Sequence, residues 1–153
     1  MTARLWISRI LPALALAGLG VLGAHVTSVQ AQEPYQIVVN AANSAGSLSK
    51  EKLAAYFLKK ETRWGDGTKV AVVDRAPGAA VRAAFSKSVL GKDVAAVKSY
   101  WQRLLFSGKE TPPAELDSDR EVMDFVAKSS GGIGYVSAGT DLGAGVKALR
   151  IGN

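Results

Sequence analysis

The segment from Val70 to Phe85 contains the residues best suited to bind a ligand. A short apolar run ends at Arg75, an Ala-Pro-Gly turn follows, and a helical pattern begins after Gly78. Arginine presents a planar fork of donors that matches phosphate or sulfate, and the first N–H groups of a helix lack partners within the helix. The pattern therefore predicts an oxyanion site. Its predicted contacts are Arg75, Gly78, Ala79, Ala80 and Val81.

A second loop offers further donors, and a simpler interpretation stands beside each candidate. Asn43 and Ser44 follow an apolar strand, and we expect them either to donate hydrogen bonds to the anion or to serve only turn chemistry and helix capping. Arg75 could likewise pair with the preceding aspartate or another surface acid and bind nothing. Asp117 and Asp119 are spaced like a carboxylate pair, but the N-terminus of a helix explains them better.

Residue types that many enzymes use are missing from the region after residue 31. The chain has no cysteine, and its one histidine, His25, lies in the N-terminal segment. This excludes Ser-His-Asp and Cys-His catalysis and histidine-ligated zinc, so we expect a protein that is not an enzyme. Gly65-Asp66-Gly67 lacks the spaced acids of a calcium loop, and neither a metal nor a cofactor is predicted. The basic residues are scattered among acids, which disfavours nucleic acid as a partner.

The N-terminal segment is predicted to be an export signal rather than part of the fold. A basic start precedes an apolar stretch from Ile10 to Leu22, which is too short for a comfortable membrane span. Signal peptidase prefers a small residue before the cleaved bond, so cleavage is predicted after Ala31, with a periplasmic location. The alternative is an uncleaved membrane anchor. The expected regions are a signal peptide at 1–31 and one domain at 32–153.

Hydrophobic patterns predict alternating strands and helices in the second region. The strands are centred near residues 37, 71, 135 and 148. Helices are predicted to begin at Ser49, after Gly78, at Asp93, and at a capping box that is formed by Ser118 and Glu121. This arrangement predicts an α/β fold with a single mixed sheet covered by helices. Ligands of such sheets bind outside the carboxyl ends of strands. The candidate loops are 40–46, 75–78 and 136–139.

Several motifs occur in an order that is typical of a known group of exported proteins. The motifs are Trp64-Gly65-Asp66-Gly67, Val73-Asp74-Arg75-Ala76-Pro77-Gly78, Tyr100-Trp101, Pro112-Pro113 and Gly132-Ile133-Gly134-Tyr135-Val136. Across residues 47–136 the chain resembles phosphate ABC transporter substrate-binding proteins of the type 2 periplasmic-binding-protein superfamily. Full members have two lobes and roughly twice the length. The resemblance therefore implies an α/β periplasmic-binding-protein-like single lobe.

The resemblance also implies roles for individual residues. In full phosphate binders an arginine ahead of a Ser-Gly-Thr turn holds phosphate; Arg75 matches that arginine, and Gly78 matches the glycine before the turn. The two hydroxyl positions fall on Ala79 and Val81, so those contacts are missing. The implied function is reversible binding of phosphate or a similar oxyanion, with an ABC transporter permease or another envelope protein as partner. The alternative is an interaction module of the cell envelope that kept the fold, lost the ligand and docks a partner.

Overall fold

The computed structural model describes residues 33–152 of the 153-residue chain. The predicted signal peptide at 1–31 and the predicted cleavage after Ala31 lie outside the described residues. In the described part of the chain, no helix combines the length and the apolar character that crossing a bilayer requires.

Six strands form one mixed sheet, which confirms the predicted fold class. The strands are β1 (Tyr35–Asn40), β2 (Ser47–Ser49), β3 (Ala71–Arg75), β4 (Ala114–Leu116), β5 (Gly132–Ser137) and β6 (Val146–Gly152). Their order across the sheet is β2-β6-β1-β5-β3-β4. Strand β1 runs antiparallel to β5 and β6, whereas β3 runs parallel to β5 and β4. Strands β1 and β3 therefore point in opposite directions.

Four helices connect the strands, and three of them begin at the side-chain caps predicted from the sequence. The helices are α1 (Lys50–Phe57), α2 (Ala80–Ser88), α3 (Val94–Phe106) and α4 (Asp119–Lys128). Ser49 and Asp93 each accept a hydrogen bond from a backbone N–H in the first turn of the helix that follows, and Ser118 and Glu121 form a capping box. Helix α2 has no side-chain cap, because Ala79 at its start has no acceptor.

Each face of the sheet has its own apolar core, because successive side chains of a strand point to opposite faces. Ile37 and Val39 of β1 belong to a large core that also contains buried residues of α1, α2 and α3. Val38 belongs to a smaller core with the buried valines of α4. In the larger core, the ring of Phe85 from α2 stacks on Tyr135 of β5 with the ring centroids 4.0 Å apart. The carboxyl end of β3 thus lies between a helix on one face and a helix on the other.

Gly134 allows α4 to pack closely on the sheet. A Cβ atom at this position would lie 2.7 Å from Cγ1 of Val122 and 2.9 Å from Cγ1 of Val73. Protein interiors are close-packed, so a side chain here would have to displace one of these valines. The glycine thereby holds α4, and Asp119 at its start, against β3 and β5.

Candidate functional site

Arg75 is the last residue of β3 and ends the strand beside β4. It pairs in register with Leu116, and only 7% of its surface is exposed. Its guanidinium is therefore largely removed from water, and a low local dielectric strengthens its interactions with charged acceptors. This position matches the strand end at which the sequence places the candidate oxyanion site.

The guanidinium of Arg75 makes hydrogen bonds through three nitrogen atoms. Its Nε donates to the carbonyl of Leu116 at 3.3 Å, and its Nη2 donates to the carbonyl of Asp117 at 2.9 Å. Its Nη1 donates to Oδ1 of Asp119, with which it forms an ion pair. The acid that neutralises Arg75 is therefore Asp119, at the start of α4.

The carboxylate of Asp119 is held by two further donors. Its Oδ2 accepts from the backbone N–H of Ser137 and from the hydroxyl of Thr140, each at 3.2 Å. A guanidinium, an amide and a hydroxyl are also the donors that suit the oxygens of phosphate or sulfate. Local sequence patterns did not associate Asp119 with Arg75, because 44 positions separate the two residues.

The start of α2 offers unpaired backbone amides at the same edge of the sheet. Among the described residues, no acceptor contacts the N–H groups of Gly78, Ala80 or Val81. The N–H of Ala79 donates to the carbonyl of Ala76 at 3.0 Å. Three of the four predicted amide donors are therefore available to a ligand, and that of Ala79 is already used.

A buried charge network holds the end of β3 behind the site. Asp74 accepts from Nη1 of Arg82 at 2.6 Å, from the backbone N–H of Arg75 at 2.9 Å and from the hydroxyl of Tyr135. Arg82 also donates to the carbonyl of Arg75 at 2.7 Å. Burial raises the pKa of Asp74, against the opposing effect of Arg82, and burial also raises the pKa of Tyr135. The network fixes the backbone of Arg75 through both its N–H and its carbonyl.

The structure does not bring Asn43 and Ser44 to Arg75. Strand β1 runs antiparallel to β5 and β3 runs parallel to it, so the carboxyl ends of β1 and β3 lie at opposite edges of the sheet. Oδ1 of Asn43 accepts from the N–H of Ala45 at 2.8 Å, which is the turn contact of the simpler interpretation. The two predicted loops therefore do not form one site in this chain.

Arg75, Ser137 and Thr140 provide the hydrogen-bond donors around the carboxylate of Asp119. Within residues 33–152, no group of three His, Cys, Asp or Glu side chains is placed to hold a metal ion. The chemistry that this arrangement supports is the binding of anionic oxygens by fixed donors.

Three solved structures with a similar fold are described as phosphate receptors or as putative or possible phosphate-binding proteins. The chain superposes on an ABC-type phosphate transport receptor from Vibrio cholerae with a TM-score of 0.59 and 23% identity, covering 77% of this chain and 46% of the receptor. A putative phosphate ABC transporter substrate-binding protein with bound phosphate from Clostridium perfringens gives a TM-score of 0.59 and 19% identity, covering 77% and 44%. A possible phosphate-binding protein from Planctomyces limnophilus gives a TM-score of 0.57 and 15% identity, covering 78% and 42%.

Comparisons of the sequence alone find no relative of this chain. No protein-family model and no curated protein sequence matches the chain. The chain spans less than half the length of each of the three receptors. The predicted resemblance is confirmed at the level of the fold: the fold of this chain is similar to roughly half of an ABC-type phosphate transport receptor.

Proposed function

We propose that this chain is an exported solute-binding protein that reversibly binds phosphate or a similar oxyanion. The observation that carries the proposal is the carboxylate of Asp119, which is held by the guanidinium of Arg75, the amide of Ser137 and the hydroxyl of Thr140. A set of donors that binds one anionic group has the chemistry to bind another. It also lies at the carboxyl end of a strand, where ligands of α/β sheets bind.

We include the backbone amides at the start of α2 in the proposed site, as the sequence predicts. The unpaired N–H groups of Gly78, Ala80 and Val81 add donors at the edge of the sheet where Arg75 lies. The partial positive charge of a helix N-terminus favours an anion there. Ala79 and Val81 supply no hydroxyl, so this turn binds through its backbone alone.

The proposed affinity is weak, because within residues 33–152 the proposed donors all lie at one edge of the sheet. A small anion is bound tightly when protein removes water from most of its surface. The described fold corresponds to less than half of each similar receptor. We expect a dissociation constant of roughly a millimolar, which corresponds to about −4 kcal/mol.

Several further properties follow from this proposal. The protein is not an enzyme, and its role is to present the anion to a partner. The proposed role also includes a periplasmic location after cleavage behind Ala31, and an ABC transporter permease or another envelope protein as partner.

A second candidate function is docking of an envelope partner without any ligand. Two observations favour it. Asp119 already neutralises Arg75, and helix α3 ends in two neighbouring apolar side chains that face solvent, Leu105 at 50% exposure and Phe106 at 86%. Large exposed apolar residues side by side are typical of interaction surfaces.

The Arg75→Lys variant separates the two candidates. Lysine keeps the positive charge and loses the planar fork, so phosphate binding by calorimetry should weaken at least tenfold. Arg120→Lys is the matched control, because it also replaces an arginine by a lysine, at an exposed position next to Asp119 in the sequence. Equal phosphate binding by wild type and Arg75→Lys would remove Arg75 from the site. Absence of saturable binding by folded wild type would favour the docking function.

A further inference from the structure

We infer that Asp119 is a built-in competitor of the ligand, so that an oxyanion binds by displacing its carboxylate from Arg75. This inference rests on the proposed function. It adds Asp119, Ser137 and Thr140 to the residues that determine affinity. The sequence analysis named none of them as a ligand contact, although Ser137 lies in the candidate loop 136–139.

The first step is that the carboxylate occupies the charged part of the site. Two of the three bonded nitrogens of Arg75 donate to backbone carbonyls, and Nη1 donates to Asp119. Within residues 33–152, Asp119 is the one acid that forms an ion pair with this guanidinium. A ligand that is to share the charge of Arg75 must therefore replace Asp119 or share the guanidinium with a like charge, which is unfavourable.

The second step is that the carboxylate can leave without unfolding its helix. Asp119 is the first residue of α4, and the start of that helix is held by the capping box of Ser118 and Glu121. The side chain of Asp119 keeps 23% of its surface exposed, against 9% for that of Arg75. A change of side-chain rotamer takes the carboxylate into water while the helix stays capped.

The third step concerns which anions can displace it. Once Asp119 leaves, the amide of Ser137 and the hydroxyl of Thr140 lose their acceptor and become available together with Arg75. A ligand must then compete with an intramolecular monoanion. A doubly charged oxyanion with several acceptor oxygens gains more from these donors than a singly charged one. The site should therefore bind phosphate and sulfate in preference to formate or nitrate.

The competition lowers the apparent affinity, because only those molecules in which Asp119 has left Arg75 can bind the anion. A charge-assisted hydrogen bond is worth about a ten- to hundredfold change in an equilibrium constant. Removing the charge of Asp119 should therefore increase the affinity for phosphate by at least about tenfold.

Asp119→Asn tests the inference, with Asp119→Ala as a second variant and Asp124→Asn as the matched control. Asp124 is an exposed acid of the same helix and takes no part in the contacts of Arg75 described above, so the control removes one negative charge and leaves those contacts intact. Calorimetry with inorganic phosphate should show binding at least tenfold tighter for both Asp119 variants and unchanged for the control. Phosphate should also raise the melting temperature of the Asp119 variants more than that of wild type, because it replaces the missing charge beside Arg75.

The outcomes distinguish the inference from the proposed function. If wild type binds phosphate and the Asp119 variants bind it equally or less tightly, the inference is wrong and the function stands. If folded wild type and folded variants all fail to bind, both are wrong. A readout on wild type is independent of variant folding: the amide NMR signal of Ser137 should move as phosphate saturates the protein. A signal that stays fixed at saturation would overturn the inference.

Discussion

Replacing Ala80 by proline should weaken ligand binding while the fold is retained. Ala80 is the first residue of α2, where proline is well tolerated because the N–H there has no partner within the helix. Ala79 before it has φ −74° and ψ 131°, the extended conformation that a residue preceding proline prefers. No described residue accepts from the N–H of Ala80, so the exchange removes one free donor and breaks no hydrogen bond within residues 33–152.

The effects of Ala80→Pro on stability and on phosphate affinity can both be estimated. Proline at a compatible position stabilises a protein by about 0.4–1 kcal/mol, since it restricts the unfolded chain. A hydrogen bond to a charged group is worth about 1.5–3 kcal/mol, so phosphate affinity should fall about ten- to hundredfold. Calorimetry with phosphate measures the change in affinity, and thermal unfolding without phosphate measures the change in stability.

Val94→Pro is the matched control for Ala80→Pro. Val94 is the first residue of α3, and its helix keeps the side-chain cap of Asp93. This variant should bind phosphate like wild type. If Ala80→Pro also binds phosphate like wild type while it remains folded, the amides of α2 are not ligand contacts, and the proposed site must be confined to the donors that hold Asp119.

Three further predictions concern stability. Ala79→Ser should stabilise the protein by about 1 kcal/mol in chemical denaturation, since it gives α2 the side-chain cap that it lacks; no gain would mean that the serine cannot reach an amide of the first turn. Gly134→Ala should destabilise it by about 1–3 kcal/mol, because the added methyl group collides with Val122; an unchanged unfolding midpoint would refute this packing. Burial, and then the negative charge of Asp74, raise the pKa of Tyr135, so the folded protein retains a proton that the unfolded chain loses above about pH 10. Stability should therefore fall as pH rises past that value, and Tyr135→Phe should reduce the slope by up to about 1.4 kcal/mol per pH unit; an unaltered slope would contradict the assignment.

Local patterns in the sequence predict most of the elements of this fold. The consecutive β-branched residues of β1 and the caps at Ser49, Asp93 and Ser118 are local signals, and each one marks the element that the structure contains. Strands β2 and β4 were not predicted. Each has three residues, too few to show an alternation of apolar and polar side chains, and each exists because a neighbouring strand pairs with it.

The candidate site is predictable only in part, because it is assembled from distant segments. The strand and turn patterns around Arg75 predict a cation at the end of a strand, and in the structure Arg75 is the last residue of β3. The pairing of Arg75 with Asp119 depends on how α4 packs on the sheet, and no local sequence pattern predicts that packing. The predicted association of Asn43 with Arg75 requires β1 and β3 to end at the same edge of the sheet, and the two strands run in opposite directions. The sequence does not encode strand direction locally, and β1 is antiparallel to β5.

Titration of the purified wild-type chain with phosphate, sulfate and a neutral solute tests the central claim most directly. Isothermal calorimetry should show saturable binding of phosphate with a dissociation constant of roughly a millimolar, and no saturable heat with the neutral solute. Sulfate should bind in the same range, because it offers the same kind of acceptor oxygens. Absence of saturable heat with both anions, in protein that is folded by circular dichroism, would contradict oxyanion binding.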